Sequence, residues 1–342
     1  MLIKELLASA SRLKASDLHL GVGHAPMFRI HGRLVGEGGE LSSTVLQEMT
    51  ENLLQPEQAA LLSQEGQIDF AYTDDVGGRY RINVFRQQGN IGMAIRVINQ
   101  QIPSFEALGL PRALLKLIER PHGLILVTGP TGSGKSTTLA ALIQTINLQQ
   151  SKHIITLEDP IEYIHPHVQS IIHQREIGAD TASFAIALRA ALRQDPDVIL
   201  VGELRDLETV KTAVTASETG HMVISTLHTS DAVQTVDRLI DMFPAEQQGQ
   251  VRFQLAATLS AVISQRLLPT MDRQGRIAVA ELLVNTPAVA NLIRTQKTHQ
   301  LKSVMQTSRH VGMQTFAMAV RNLVQEGVIS DDIAKEWLDS PA

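Results

Sequence analysis

The 342 residues carry 30 basic against 35 acidic side chains, a net charge of −5, with 44% hydrophobic and 19% charged residues. That balance excludes a disordered chain, and the length sets two domains as the expectation. The absence of cysteine removes disulfides, thiolate zinc sites and cysteine nucleophiles, and an acidic chain with 8 Phe, 3 Tyr and 1 Trp does not read as a nucleic-acid binder.

The first stretch, MLIKELLASASRLKASDLHL, mixes charged residues among apolar ones, unlike a signal peptide. No apolar run approaches the ~20 residues that span a bilayer, so the cytoplasm is the expected compartment. Residues 1–98 read as a mixed α/β unit. Strand patterns lie at DLHLGV, PMFRIHGRLV, IDFAYTD and GRYRINVFRQQGNIGMAIRVI, and helical patterns at Thr44–Leu54 and Pro56–Gln64. Two prolines and weak periodicity in NQQIPSFEALGLP mark a linker over 99–110. Neither an internal repeat nor a low-complexity tract is present.

From Pro121 four apolar runs alternate with helix-length segments: GLILVTGP, HIITLEDP, DVILVGE and MVISTLH. Strands of this kind predict a parallel sheet covered on both faces. Beyond Val233 the chain reads as mainly amphipathic helix, with one more strand at RIAVAELLV. Helices at Thr298–Thr307, Met313–Glu326 and Ser330–Leu338 are expected to form a small bundle.

The first of these strands leads into GPTGSGKS and then a helix, the context that a G-x-x-x-x-G-K-[ST] phosphate loop requires. By chance the pattern would arise in a chain of this length on the order of once in a hundred. Gly129, Pro130, Thr131, Gly132, Ser133, Gly134, Lys135, Ser136 and Thr137 are therefore the candidate ATP-binding residues. Lys135 is suited to the β- and γ-phosphates and Ser136 to Mg²⁺. In a parallel sheet the other strands end on the same edge, where ligands bind. They deliver Glu158, Asp159 and Glu162 after the second run, Glu203 after the third and His228 after the fourth. Glu162 and Glu203 are the leading candidates to polarise water and to stand by Mg²⁺, in either assignment, with Glu158 and Asp159 behind them.

His221 and His228 bracket the fourth run, seven positions apart. On an extended strand that is about 23 Å, so they cannot share a metal ion. His228 falls at the ATP edge as a candidate γ-phosphate sensor; His221 falls at the far end, suited to a structural bond or a neighbouring subunit. Candidate cationic partners for the transferring phosphate are Arg79, Arg81, Arg86 and Arg96 in the N-terminal unit, and Arg189 and Arg193, whose spacing of four predicts one helix face. Action in trans by any of them would require an oligomer.

ASDLHL, GPTGSGKSTTLAAL, ITLEDPIEY, LRAALRQDPDVILVGELRDLET, ASETGHMVISTLHT and DMFPAEQQGQVRFQLA together resemble the PilT-type twitching-motility ATPases, within the larger family of type II and type IV secretion ATPases. The resemblance runs over nearly the whole chain. It implies a PAS-like N-terminal domain over 1–98, a RecA-like ATPase domain over 111–342 with a helical part from about 286, and a homo-hexameric ring. It places Walker A at 129–137, an Asp box at 156–163, Walker B at 197–206 and a His box at 219–229. It assigns catalytic and Mg²⁺-linked roles to Glu162 and Glu203 and arginine roles to Arg79, Arg81, Arg96, Arg189 and Arg193. Its partners would be an inner-membrane platform protein and, through it, a pilin filament, with the ring docked at the membrane.

Three features sort the reading further. The short N-terminus and lack of cysteine resemble the retraction branch rather than the zinc-loop motors. The retraction motif AIRNLIRE, however, stands here as AVANLIRT, with Ala290 for its arginine and Thr295 for its last glutamate. Walker B ends Gly202-Glu203, where many P-loop enzymes have an Asp before the Glu. A divergent ATPase of another pilus or secretion system, a nucleic-acid translocase and a slow regulatory ATPase are the alternatives to a pilus motor.

Overall fold

The structure, a computed structural model, describes residues 3–30, 32–98, 101–272 and 275–339. Its chain separates into two compact units between Gln101 and Ile102, each with its own core. Asn99 and Gln100, at the start of the expected linker, and 340–342, at the end of the expected helical part, lie outside the described residues.

The N-terminal unit runs α1 (Ile3–Arg12), β1 (Asp17–Leu20), β2 (Met27–Ile30), β3 (Arg33–Gly36), α2 (Ser43–Leu53), α3 (Pro56–Glu65), β4 (Gln67–Thr73), β5 (Arg79–Gln87) and β6 (Asn90–Ile98). Its strands form one antiparallel sheet in the order β3-β2-β1-β6-β5-β4. In β5, Tyr80, Ile82 and Val84 are buried and Arg79, Arg81 and Asn83 alternate with them, so one face of the sheet takes the helices and the other is polar. The helices have clear stops. Ser42 accepts from the Val45 N–H at the start of α2, and α3 begins at Pro56 and ends at Gly66, whose φ of 76° is left-handed.

The second unit continues with α4 (Ala113–Ile118), β7 (Gly123–Thr128), α5 (Lys135–Gln149), β8 (His153–Glu158), β9 (Ile171–Glu176), α6 (Phe184–Ala191), β10 (Val198–Val201), α7 (Leu207–Glu218) and β11 (Met222–Leu227). It is completed by α8 (Ala232–Asp241), α9 (Ala245–Thr258), β12 (Leu259–Pro269), β13 (Arg276–Val284), α10 (Pro287–Arg294), α11 (Leu301–Thr307), α12 (Phe316–Gln325) and α13 (Asp331–Asp339). The sheet order is β13-β12-β7-β11-β10-β8-β9, parallel except for β12 against β13. Every residue of β7, β10 and β11 is buried, which explains their unbroken apolar sequences. The chain is thus an α/β protein with an N-terminal sheet domain and a C-terminal domain built on a doubly wound sheet.

Two strands depart from the sequence reading. β12 lies in the segment read as helix. Its first seven residues are all buried, polar and apolar alike, so neither face is marked by exposure and periodicity cannot separate strand from helix. β9, IIHQRE, is the sheet edge and carries too many polar residues to stand out. At the C-terminus, α12 and α13 close a small separate core with β12 and β13 around Leu268, Val279, Val320, Ile329 and Ile333.

Candidate active site

The phosphate loop joins β7 to α5 and rests on β12. A Cβ at Gly129, where φ is 142°, would stand 2.2 Å from the Gln265 carbonyl oxygen. One at Gly134, where φ is 88°, would stand 2.9 Å from Gln265 Nε2. Glycine is required at both positions by space and by backbone conformation. Gln265, 2% exposed, donates from Nε2 to the Ser133 carbonyl at 2.9 Å and accepts from the Thr138 hydroxyl at 2.7 Å. Next to it, Ser264 and Thr128 share a hydrogen bond of 2.9 Å. The sequence signal for this support is a polar pair, Ser264 and Gln265, after an apolar run.

Lys135 heads α5 and donates to the carbonyls of Gly129 at 2.9 Å and Pro130 at 3.0 Å. Burial lowers its pKa; the charges of Glu203 and Glu162 oppose that shift. The same ammonium therefore feels both leading carboxylates, which are 41 positions apart in sequence and reach one edge of the sheet from β8 and β10.

Glu158, Asp159 and Glu162 have different surroundings. Glu158 is held inside: its Oε1 accepts from the Thr156 hydroxyl at 2.7 Å and from Gln174 Nε2 at 3.2 Å. Burial raises its pKa, while bonds from Thr156, Gln174 and the Glu162 backbone lower it. Asp159 and Glu162 are exposed. The loop carrying Glu162 is fixed by β9, through Gln174 Nε2 to the Tyr163 carbonyl at 2.7 Å, the His165 N–H to Gln174 Oε1 at 2.8 Å, and the Ile161 N–H to Glu176 at 3.1 Å. Tyr163 also shares a hydrogen bond of 2.9 Å with Thr137 of the phosphate loop. The unrecognised edge strand is what positions the expected Asp box.

Glu203 follows β10 with its side chain 13% exposed. Its Oε1 meets the Arg205 Nε, and its Oε2 lies 3.4 Å from His228 Nε2. Gly202, where many P-loop enzymes have an aspartate, packs closely: a Cβ there would sit 3.2 Å from the Leu157 carbonyl oxygen, a tight contact. His221 lies at the other end of β11, its Nδ1 3.0 Å from the Ala216 carbonyl at the close of α7. The two histidines thus flank the strand and stand in separate environments.

The arginines separate into groups. Arg189 in α6 is ion-paired with Glu208 in α7. Arg193 does not share its helix face, because α6 ends at Ala191 and the Arg193 N–H turns back to the Ala190 carbonyl at 3.0 Å. Asp195, with φ of 53°, precedes Pro196, which disfavours a helical predecessor. Arg79, Arg81 and Arg96 belong to the N-terminal unit. Arg81 and Arg96 are directly opposite on β5 and β6. Arg81 donates to Asp69 at 2.6 and 2.9 Å, and Arg96 to Asp17 at 3.2 Å. Arg86 lies near the exposed end of β5.

The donor set fits a Mg²⁺–nucleotide. The Ser136 hydroxyl sits one residue after Lys135 in the first turn of α5, Lys135 faces two carboxylates electrostatically, and hard oxygen donors are what Mg²⁺ takes. Ser136 and Glu203 are the residues that would hold it, directly or through water. A bound Mg²⁺ would neutralise charge developing on the phosphates.

The family described as Type II/IV secretion system protein matches residues 1–336. An uncharacterised protein of Escherichia coli, YggR, is 48% identical over 96% of this chain and 99% of its own. The type IV pilus retraction ATPase PilT of Pseudomonas aeruginosa is 43% identical over 99% of this chain and 98% of its own. A crystal structure of the pilus retraction motor PilT with bound ADP superposes with a TM-score of 0.93 at 47% identity, covering 100% of this chain and 98% of that one.

Proposed function

This chain belongs to the type II/IV secretion ATPase family as a PilT-type member, and from that premise we propose that it is an ATP-driven motor that retracts a type IV pilus. The chain hydrolyses ATP as its family does. The observation that carries the motor reading is full-length similarity, 43% over 340 residues, to a pilus retraction ATPase. In this reading the N-terminal unit is PAS-like, the second is RecA-like, and six copies form a cytoplasmic ring docked at the inner membrane on a platform protein. Lys135 and the loop amides bind the phosphates, Ser136 and Glu203 stand by Mg²⁺, and Glu162 polarises water. His228 senses the γ-phosphate, and arginines drawn from Arg79, Arg81, Arg96, Arg189 and Arg193 stabilise the transferring group. Exchange of their present carboxylate partners for phosphate is the required step for Arg81, Arg96 and Arg189.

A second reading has its own observation. The 48% identity to a protein of no stated function, with Ala290 and Thr295 in the altered motif, supports a PilT-like motor serving another pilus or secretion system. Deleting the gene in its host and complementing with wild type or Lys135→Ala separates the two. Excess surface pili without twitching, corrected by wild type and not by Lys135→Ala, supports retraction; unchanged pili and movement refute it in favour of the second system.

A further inference from the structure

A cavity of about 360 Å³ opens beside Glu203 and His228, between the carboxyl ends of β10 and β11 and the last turn of α8. It far exceeds the ~10–15 Å³ that one water requires. Its charged and titratable lining residues are Arg205, Arg238, His228 and Glu203. Leu204, Leu227 and Met242 supply the apolar wall. The threonine hydroxyls are already committed, Thr226 donating to the Gly202 carbonyl at 2.6 Å and Thr229 sharing a bond of 2.7 Å with Thr235.

The charge balance selects a ligand. Arg205 meets Glu203 through Nε, and that pair cancels in net charge. Four further N–H donors belong to the Arg205 guanidinium, five to Arg238, and the lining keeps one unit of positive charge in excess. Apolar walls focus such a field into the cavity. Two arginines at the wall of one cavity can supply the charge-assisted donors that a tetrahedral oxyanion requires. The neighbouring chemistry generates one, since ATP and water give ADP, orthophosphate and a proton. Glu203 is among the charges felt by Lys135, so the cavity borders the side of the site where the γ-phosphate is cleaved.

We propose that this cavity is an orthophosphate site, in which the cleaved phosphate is held by Arg205 and Arg238 between hydrolysis and release. The proposal rests on ATP hydrolysis at the phosphate loop. Arg205 serves both stages: its Nε stays on Glu203 while its terminal nitrogens receive the departing anion. Arg238, exposed on α8 and outside each of the four ATP-site motifs, is the residue whose role is specific to this site.

The test uses the full chain and inorganic phosphate as the probe. Steady-state ATP hydrolysis is measured against added phosphate, and binding of radiolabelled phosphate to the ADP-loaded protein is measured at equilibrium. Loss of one charge-assisted contact in Arg238→Gln should weaken phosphate inhibition and phosphate binding about tenfold or more. Inhibition by ADP and the KM for ATP should stay within about twofold, and Arg238→Lys, which keeps the charge without the planar fork, should recover only part of the phosphate affinity. Met242→Glu, which puts a carboxylate into the same wall, should weaken phosphate binding independently. Equal phosphate affinity in wild type and both charge-altering variants overturns the proposal, as does phosphate that fails to bind the ADP-loaded wild type. A protein that binds phosphate in this way yet hydrolyses no ATP would instead refute the ATPase premise.

Discussion

Replacing Gln265 tests whether the phosphate loop is held from beneath. In Gln265→Ala the Ser133 carbonyl loses its donor and the Thr138 hydroxyl its acceptor, in a site where Gln265 is 2% exposed. A buried carbonyl without a partner costs ~1–3 kcal/mol. Thr138 is cheaper to satisfy, since its hydroxyl can turn to the Gly134 carbonyl that its own N–H already uses at 3.0 Å. The space left by the amide adds about 1 kcal/mol. The total is roughly 2–4 kcal/mol, which at a urea dependence of ~2–3 kcal/mol/M moves the midpoint by about 1 M. Trp337 is the only tryptophan and packs on the core formed by β12, β13, α12 and α13, so its fluorescence reports the second unit. Gln265→Glu keeps an acceptor for Thr138 but turns a second oxygen toward the Ser133 carbonyl, and should be at least as damaging. A midpoint within about 0.2 M of wild type for Gln265→Ala would refute the reasoning.

Lys135→Ala is expected to reduce ATP hydrolysis at least about 100-fold, because no other ammonium replaces it at the phosphates; steady-state phosphate release checks this. Gln174→Ala, which removes two bonds that anchor the Glu162 loop and one to Glu158, should lower kcat about tenfold with little change in nucleotide affinity, since misplacing a reacting group damages chemistry more than binding. Burial drives the His165 imidazole down to about 4, so the unfolded chain takes up that proton first. The stability it contributes, about 3 kcal/mol, is complete above pH ~6.5 and lost as pH falls toward 4; His165→Asn should flatten urea midpoints across that window. Glu158 acts with the opposite sign, its burial-raised pKa giving stability that declines as pH rises through it. Ala290→Arg should cost ~1–3 kcal/mol by overpacking, as Ala290 is 9% exposed in the main core, and an unchanged urea midpoint would show that the position tolerates the motif's arginine.

What the sequence revealed depended on periodicity and chain-local spacing. The phosphate loop was legible because strand, glycines, lysine and helix are contiguous, and Glu203 and His228 because each directly follows a buried strand. Arg193 was misread because a spacing of four implies one face only while a helix continues, and α6 stops at Ala191. β9 and β12 were hidden for opposite reasons, one too polar and the other buried on both faces. Residues that act by supporting others, Gln174 and Gln265, carry no motif of their own. Their roles exist only once β9 lies beside β8 and β12 beside β7.

β12, which periodicity missed, and its antiparallel partner β13 tie the ATP edge to the rest of the fold. β12 supplies Gln265 to the phosphate loop and Ser264 to Thr128, from which Thr235 and Thr229 extend a run of hydroxyl contacts, at 3.5 and 2.7 Å, to the segment after His228. Its partner β13 supplies Glu281, 5% exposed, whose two oxygens accept from the Ala232 N–H at the start of α8 and the Phe316 N–H at the start of α12. Burial raises the pKa of that carboxyl, while the two backbone bonds lower it. One carboxylate thus joins the helix that follows His228 to the C-terminal helices. A displacement of the His228 segment on nucleotide turnover would move two helix N-termini bound to the same side chain. Polar groups buried in β12 and β13 thus bond both to the phosphate-loop side of the sheet and to the starts of α8 and α12.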